Sequence, residues 1–226
     1  MKPDVLDEHF YMPAQETFSQ AHHYDAYDRN GPKVFVGEWA TREGDPTPDL
    51  EAALADAAWL TGLERNSDLV IMASYAPLFV NVNPGGMQWA PDLIGYDAFS
   101  SYGSPGYFTQ QMFSTHLGTE IVPAALAGTA PRVFASATRD DATRKLFIKV
   151  VNATSTSQTL AIDLEGVSKL AKQATLITMS GKTPNATNSI NDPDLVVPVS
   201  HTVAVSGPNF TQTFAPYSVN VLEVNY

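Results

Sequence analysis

The pattern of the sequence changes once, near residue 123, and that change sets what the chain can become. Before it, apolar runs alternate with helix-like stretches. After it, short alternating segments follow one another with only turn residues between them. Strand–helix repetition with strands apolar on both faces marks an α/β parallel sheet, open or closed into a barrel. The later spacing, rich in Thr and Val, predicts an antiparallel β-sandwich. Two domains are expected, residues 1–122 and 123–226.

In the first half, Asp4–Tyr11 and Lys33–Trp39 read as strands. Between them a helix is predicted over Ala14–Tyr27, stopped by Asn30-Gly31-Pro32. Asp49 is placed to cap a helix through Leu63, whose apolar residues recur every three or four positions. Asp68–Val80 reads as a buried parallel strand with a break after Tyr75, and the Asn- and Gly-rich segment that follows reads as a loop. Ser104-Pro105 opens a helix through about His116. In the second half, strands are expected over Arg132–Thr138, Lys145–Val151, Gln158–Leu164, Gln173–Met179, His201–Ser206 and Phe214–Val224.

Composition narrows the function. With 24 acidic and 13 basic residues the net charge is −11, which argues against nucleic acid or an anionic membrane as partner. The chain contains no cysteine, so disulfides, thiolate metal sites and Cys nucleophiles are excluded. No stretch approaches the roughly 20 apolar residues of a membrane span. The first residues, MKPDVLDEHFYMP, lack the apolar core of a signal peptide and read like the middle of a domain. The compartment therefore stays open, with secretion slightly favoured.

Glu38 is the residue that asks for an explanation. It follows Val34-Phe35-Val36-Gly37, at the carboxyl end of a strand, where α/β folds place their functional groups. Gly37 permits close approach of backbone or ligand, and Trp39 beside an acid is a common sugar-facing arrangement. An ordinary strand-end acid turned to solvent is the competing explanation. His9 and Tyr11 share one side of the preceding strand, so a phenol and an imidazole would stand next to Glu38 if the two strands are neighbours. A satisfied polar pair at a strand end explains them equally well. The pair His22-His23 diverges on a helix and has no third ligand nearby, so no metal site is read there.

Taken in order, the segments DEHFY, KVFVGEWA, ASYAPLFVNVN, MQWAPDLIGYD, SPGYFTQQMFS, LFIKVVN, NSINDPDLVVPV and FAPYSVNVLEV resemble the C-terminal portion of α-L-arabinofuranosidases of glycoside hydrolase family fifty-one. The resemblance implies the last strands, six to eight, of a (β/α)₈ barrel, followed by a jelly-roll-like β-sandwich. It implies a retaining mechanism with Glu38 as the nucleophile toward a terminal L-arabinofuranosyl unit. Tyr11 matches the family tyrosine that contacts the nucleophile, and His9 lies in the same pocket wall. Asn81, Asn83 and Trp89 fall in the loop after the eighth strand and would shape the sugar subsite. The implied partner is an arabinose-containing polysaccharide or oligosaccharide, with no cofactor.

One part of the family pattern has no counterpart. A retaining glycosidase needs a second carboxyl about 5–5.5 Å from the nucleophile, and the family draws it from an Asn-Glu pair after the fourth strand. The sequence contains no Asn-Glu dipeptide. The expectation is therefore a fragment that lacks the acid/base, is nearly inactive alone, and is liable to associate through exposed barrel edges. The alternatives are a non-catalytic carbohydrate-binding β-sandwich and a related retaining xylosidase or glucanase.

Overall fold

The computed structural model describes residues 3–128, 130–167 and 169–226. Its first layer is a parallel sheet, β1 (Val5–Met12), β2 (Lys33–Thr41) and β3 (Val70–Tyr75), in the order β1-β2-β3. α1 (Ala14–Ser19) follows β1 and is shorter than its sequence suggests. Gln20 to Ala26 run on as turns. Tertiary contacts override helical propensity here. Glu8 accepts from the hydroxyls of Tyr24 and Tyr27, at 2.8 and 3.2 Å, and Asp25 is held by Arg65 and Asn66.

α2 (Leu50–Arg65) is the centre of the molecule. Asp49 caps it, accepting from the Ala52 N–H at 3.0 Å. The N–H groups of Leu50 and Glu51, free in an isolated helix, donate to Ala186 and Pro184 carbonyls of the 181–198 loop. That loop belongs to the second half of the chain and ties the halves together. Asn188 of the same loop donates to Gly103 and Val196 carbonyls.

α2 is apolar nearly all round because both sides are covered. Trp59 and Leu63 pack with Val34, Val36, Trp39, Leu69 and Val70 under the parallel sheet. Leu50, Ala53, Leu54, Ala57 and Ala58 face a second core shared with Met112, Phe113, Phe147, Val151 and Val219. Gly62 is required on this path, since a β-carbon there would stand 2.3 Å from the Ala21 carbonyl oxygen.

The strand read over Asp68–Val80 breaks after Tyr75 as expected, but its first part is not buried: of β3 only Val70 is, because the outer edge and one face stand open. β3 ends at Tyr75, and β4 (Phe79–Asn81) joins a separate small sheet with β5 (Ile94–Tyr96) and β6 (Ser101–Gly103), in which β4 runs parallel to β5 and β5 antiparallel to β6. At three residues each, β5 and β6 are too short to show a period. α3 (Pro105–Thr115) begins where Ser104 accepts from the Tyr107 N–H at 3.1 Å.

The remaining strands are β7 (Glu120–Val122), β8 (Val133–Asp140), β9 (Lys145–Asn152), β10 (Gln158–Asp163), β11 (Gln173–Ser180), β12 (Val199–Ala204), β13 (Asn209–Phe214) and β14 (Ser218–Asn225). Six form an antiparallel sheet in the order β12-β11-β14-β9-β8-β7, and β10-β13 form a second sheet. Leu160, Ile162, Phe210 and Phe214 of the small sheet pack on Leu146, Ile148, Val150 and Leu222 of the large one, making the expected sandwich. The single strand read over Phe214–Val224 is in fact two, parted at Ala215–Tyr217, where Tyr217 adopts a φ of 46°. The other face of the large sheet lies on α2 and α3, which is why β9 is buried on both faces. At that seam Lys149, fully buried, pairs with Glu64 of α2.

The outer edges of β1 and β3 pair with no strand among the described residues, and Val5, Leu6, Ile71 and Met72 are exposed along them. No helix is long and apolar enough to cross a membrane, among the described residues.

Candidate active site

The site forms at the carboxyl ends of β1 and β2, which run parallel. Leu6 stands opposite Val34 and Glu8 opposite Val36, but His9 stands opposite Glu38. Gly37 is therefore an extra residue in β2, a β-bulge. Strict alternation from the buried Val34 and Val36 would send Glu38 into the core. The bulge reverses the parity, so Glu38 faces outward with Tyr11 and His9 while Trp39 turns inward.

Tyr11 Oη donates to Glu38 Oε2 at 2.6 Å, a length typical of charge-assisted bonds. Desolvation and the Glu38 carboxylate push the Tyr11 hydroxyl up to about 12, with Arg42 pulling it back. At any physiological pH the phenol is thus a donor. His9 Nδ1 lies 3.8 Å from the same Glu38 oxygen, and His9 Nε2 lies 3.2 Å from Asp7 Oδ2. The Glu38 side chain keeps 47% of its surface exposed, so a ligand can reach it.

Trp39 is corrected by the structure. It is 2% exposed and packs edge-on against Tyr75, with ring centroids 5.2 Å apart, beneath the sheet. It presents no face to a sugar; its part is to anchor the strand that carries Glu38. Asn81 and Asn83 form their own turn, Asn81 Oδ1 accepting from the Asn83 N–H and side-chain amide at 3.0 Å each. Trp89 is 71% exposed. No hydrogen bond links these three to Glu38 among the described residues.

Sequence reasoning passed over Asp7, although the two-residue spacing to His9 was a visible signal. It also passed over a buried acidic cluster. Asp56 of α2 is fully buried, flanked by Thr41, and neither oxygen makes a well-formed hydrogen bond. Burial pushes its carboxyl up to about 7, partly offset by Thr41, and pushes Asp92 up to about 6. Tyr75, whose hydroxyl is buried and unpartnered, is raised far above the usual phenol range by burial and then by both acids. A lone acid in an α2 stripe of alanines gave no periodic signal. Among the described residues no cluster of His, Cys, Asp or Glu is arranged to hold a metal.

The chain matches the α-L-arabinofuranosidase C-terminal domain over residues 37–218. It is 34% identical to α-L-arabinofuranosidase 1 of Arabidopsis thaliana, over 98% of this chain and 33% of that protein. Against α-L-arabinofuranosidase A of Aspergillus niger it is 32% identical, over 97% of this chain and 34% of the relative. An arabinose-bound family 51 α-L-arabinofuranosidase superposes with a TM-score of 0.91 at 33% identity, covering 99% of this chain and 37% of the other. The Thermotoga maritima enzyme in complex with arabinose shares the fold, with a TM-score of 0.80 at 24% identity, covering 99% of this chain and 53% of that one. These similarities place the chain among the glycoside hydrolases. Within them it belongs to the α-L-arabinofuranosidase C-terminal domain family. It spans about a third of the length of the curated relatives it matches.

Proposed function

We propose that Glu38 is the nucleophile of a retaining α-L-arabinofuranosidase. The observation that carries this reading is the 2.6 Å bond from Tyr11 to Glu38 across adjacent strand ends. It fixes one carboxylate oxygen and leaves the other free to attack. In the reaction, Glu38 attacks the anomeric carbon of a terminal arabinofuranosyl unit as the leaving group takes a proton from a general acid. Water, deprotonated by the same group, then cleaves the glycosyl ester. Arabinose in the structurally similar enzymes agrees with this substrate.

In this reading β1, β2 and β3 are the sixth to eighth strands of a (β/α)₈ barrel, residues 1–122 are its partial catalytic domain, and residues 123–226 are the sandwich. The large sheet already begins at Glu120, so the division lies in the short link after α3. The acid/base and the strands that close the open edges of β1 and β3 lie outside residues 1–226. Asn81, Asn83 and Trp89 remain candidates for the sugar subsite, on the rim.

The test is Glu38→Gln in the full-length polypeptide that carries these residues. Hydrolysis of an aryl α-L-arabinofuranoside should fall by several orders of magnitude, and azide should restore release of the phenol, the sugar being transferred to azide as a glycosyl azide. Unchanged hydrolysis would remove Glu38 from the mechanism.

A further inference from the structure

Asp7, His9 and Tyr11 occupy alternate positions on β1 and so share the face of the sheet that Glu38 occupies. Tyr11 donates to Glu38 Oε2, and His9 approaches that same oxygen through Nδ1, but at 3.8 Å the two do not hydrogen-bond directly. The other ring nitrogen of His9, Nε2, stands 3.2 Å from Asp7 Oδ2. A carboxylate only accepts, so this contact requires the proton on Nε2. In the neutral ring Nδ1 then carries a lone pair, aimed at the nucleophile. Nδ1 is then an acceptor that makes no hydrogen bond to Glu38, open to a hydroxyl brought in beside the carboxylate.

The backbone prepares this arrangement. A β-carbon on Gly37 would lie 2.1 Å from Asp7 Oδ1 and 3.1 Å from His9 Nε2. The Asp7–His9 pair thus lies flat against the bulge, on the same residue that turns Glu38 outward. This support matters because both side chains are about half exposed, where a lone polar contact is weakly held.

We infer that Asp7 is a positioning residue, which holds the proton on His9 Nε2 and so makes His9 Nδ1 an acceptor for a hydroxyl of the sugar that Glu38 attacks. The inference rests on Glu38 being the nucleophile. It adds a role for Asp7, and it fixes the direction of the bond His9 makes: from the sugar to the imidazole.

The test compares wild type with Asp7→Ala in the full-length polypeptide, using an aryl α-L-arabinofuranoside and its 2-, 3- and 5-deoxy analogues. Asp7→Ala should lower kcat/KM about 10-fold on the parent sugar, the size of one hydrogen bond to a well-placed acceptor. On one of the deoxy analogues the two proteins should be equal, because the bond that Asp7 prepares is no longer there. An equal loss on all four donors would mean a structural role only and would overturn the inference. Nitrogen-15 NMR of His9 gives an independent reading. The proton should sit on Nε2 in wild type and be shared between both nitrogens in Asp7→Ala; a wild-type proton on Nδ1 overturns the inference. Azide rescue of Glu38→Gln separates the two levels. Without rescue, the nucleophile assignment and the Asp7 inference fall together, whereas rescue with an equal loss on every donor removes Asp7 alone.

Discussion

Glu38 and Trp39 are adjacent in sequence, yet one meets Tyr11 on the open face of the parallel sheet and the other meets Tyr75 beneath it. Gly37 separates them from the regular alternation of Val34 and Val36. The inward tryptophan, packed with Trp59 and Tyr75, pins the strand end, and the outward carboxylate is held where a ligand can reach it. Rigidity below and access above are what a nucleophile on a strand tip needs.

Tyr11→Phe removes the donor to Glu38 and little else, since Tyr11 is 41% exposed. A hydrogen bond to a charged group contributes about 1.5–3 kcal/mol. The variant of the full-length polypeptide should therefore lose about 10- to 100-fold in kcat while its thermal midpoint stays close to that of wild type. A large drop in the midpoint with kcat intact would show that the phenol serves packing and not the carboxylate.

Asp56 makes stability depend on pH. Its folded-state value, about 7, lies above the ordinary 3.8, so the folded chain binds the proton more tightly than the unfolded one. Stability from this group is complete below about pH 4 and is lost as the pH rises toward 7. The loss is on the order of 4 kcal/mol, and Asp92 acts in the same direction over a narrower window. Urea midpoints of residues 1–226 should fall between pH 5 and pH 8, and Asp56→Asn should flatten that slope. A slope unchanged in the variant would contradict the assignment.

Lys149 and Glu64 join the central helix to the large sheet, and burial lowers the lysine against the opposing pull of Glu64. Lys149→Met leaves the Glu64 carboxylate without its partner in a largely buried place. Removing one member of a buried pair costs on the order of 3 kcal/mol. Adding Glu64→Gln should recover much of that loss in a double-mutant cycle. Additive losses in the two single variants would show that the pair is not coupled.

Residues 1–226 on their own should hydrolyse an aryl α-L-arabinofuranoside far more slowly than a full-length family member, if, as proposed, the acid/base is supplied from outside them. Steady-state rates comparable with those of such an enzyme would mean that a carboxyl within these residues serves instead.

Much of this architecture is legible in the sequence. The apolar run before Gly37, the Asp49 cap and the Ser104-Pro105 start each act within a few residues, and each stands where expected. What was hidden depends on contacts distant in the chain. The turns at Gln20–Ala26 replace a helix because Glu8 holds the Tyr24 side chain and Arg65 holds the Asp25 side chain and the Ala21 carbonyl. The inward turn of Trp39 follows from a bulge, and one extra residue in a strand leaves no mark on composition. Asp7 and Asp56 look ordinary in sequence; only His9 in the one case and burial in the other give them meaning.

The most direct test of the account is to trap the intermediate. An arabinofuranoside with a dinitrophenolate leaving group departs without a proton, so Glu38 can be glycosylated even where the acid is absent. Mass spectrometry of the quenched full-length polypeptide with its acid/base carboxyl replaced, where hydrolysis of the ester lacks its base, should find one pentosyl ester, on the peptide containing Glu38, and none when Glu38→Gln is added. A pentosyl group on another carboxylate, or turnover with no ester at all, would contradict the account.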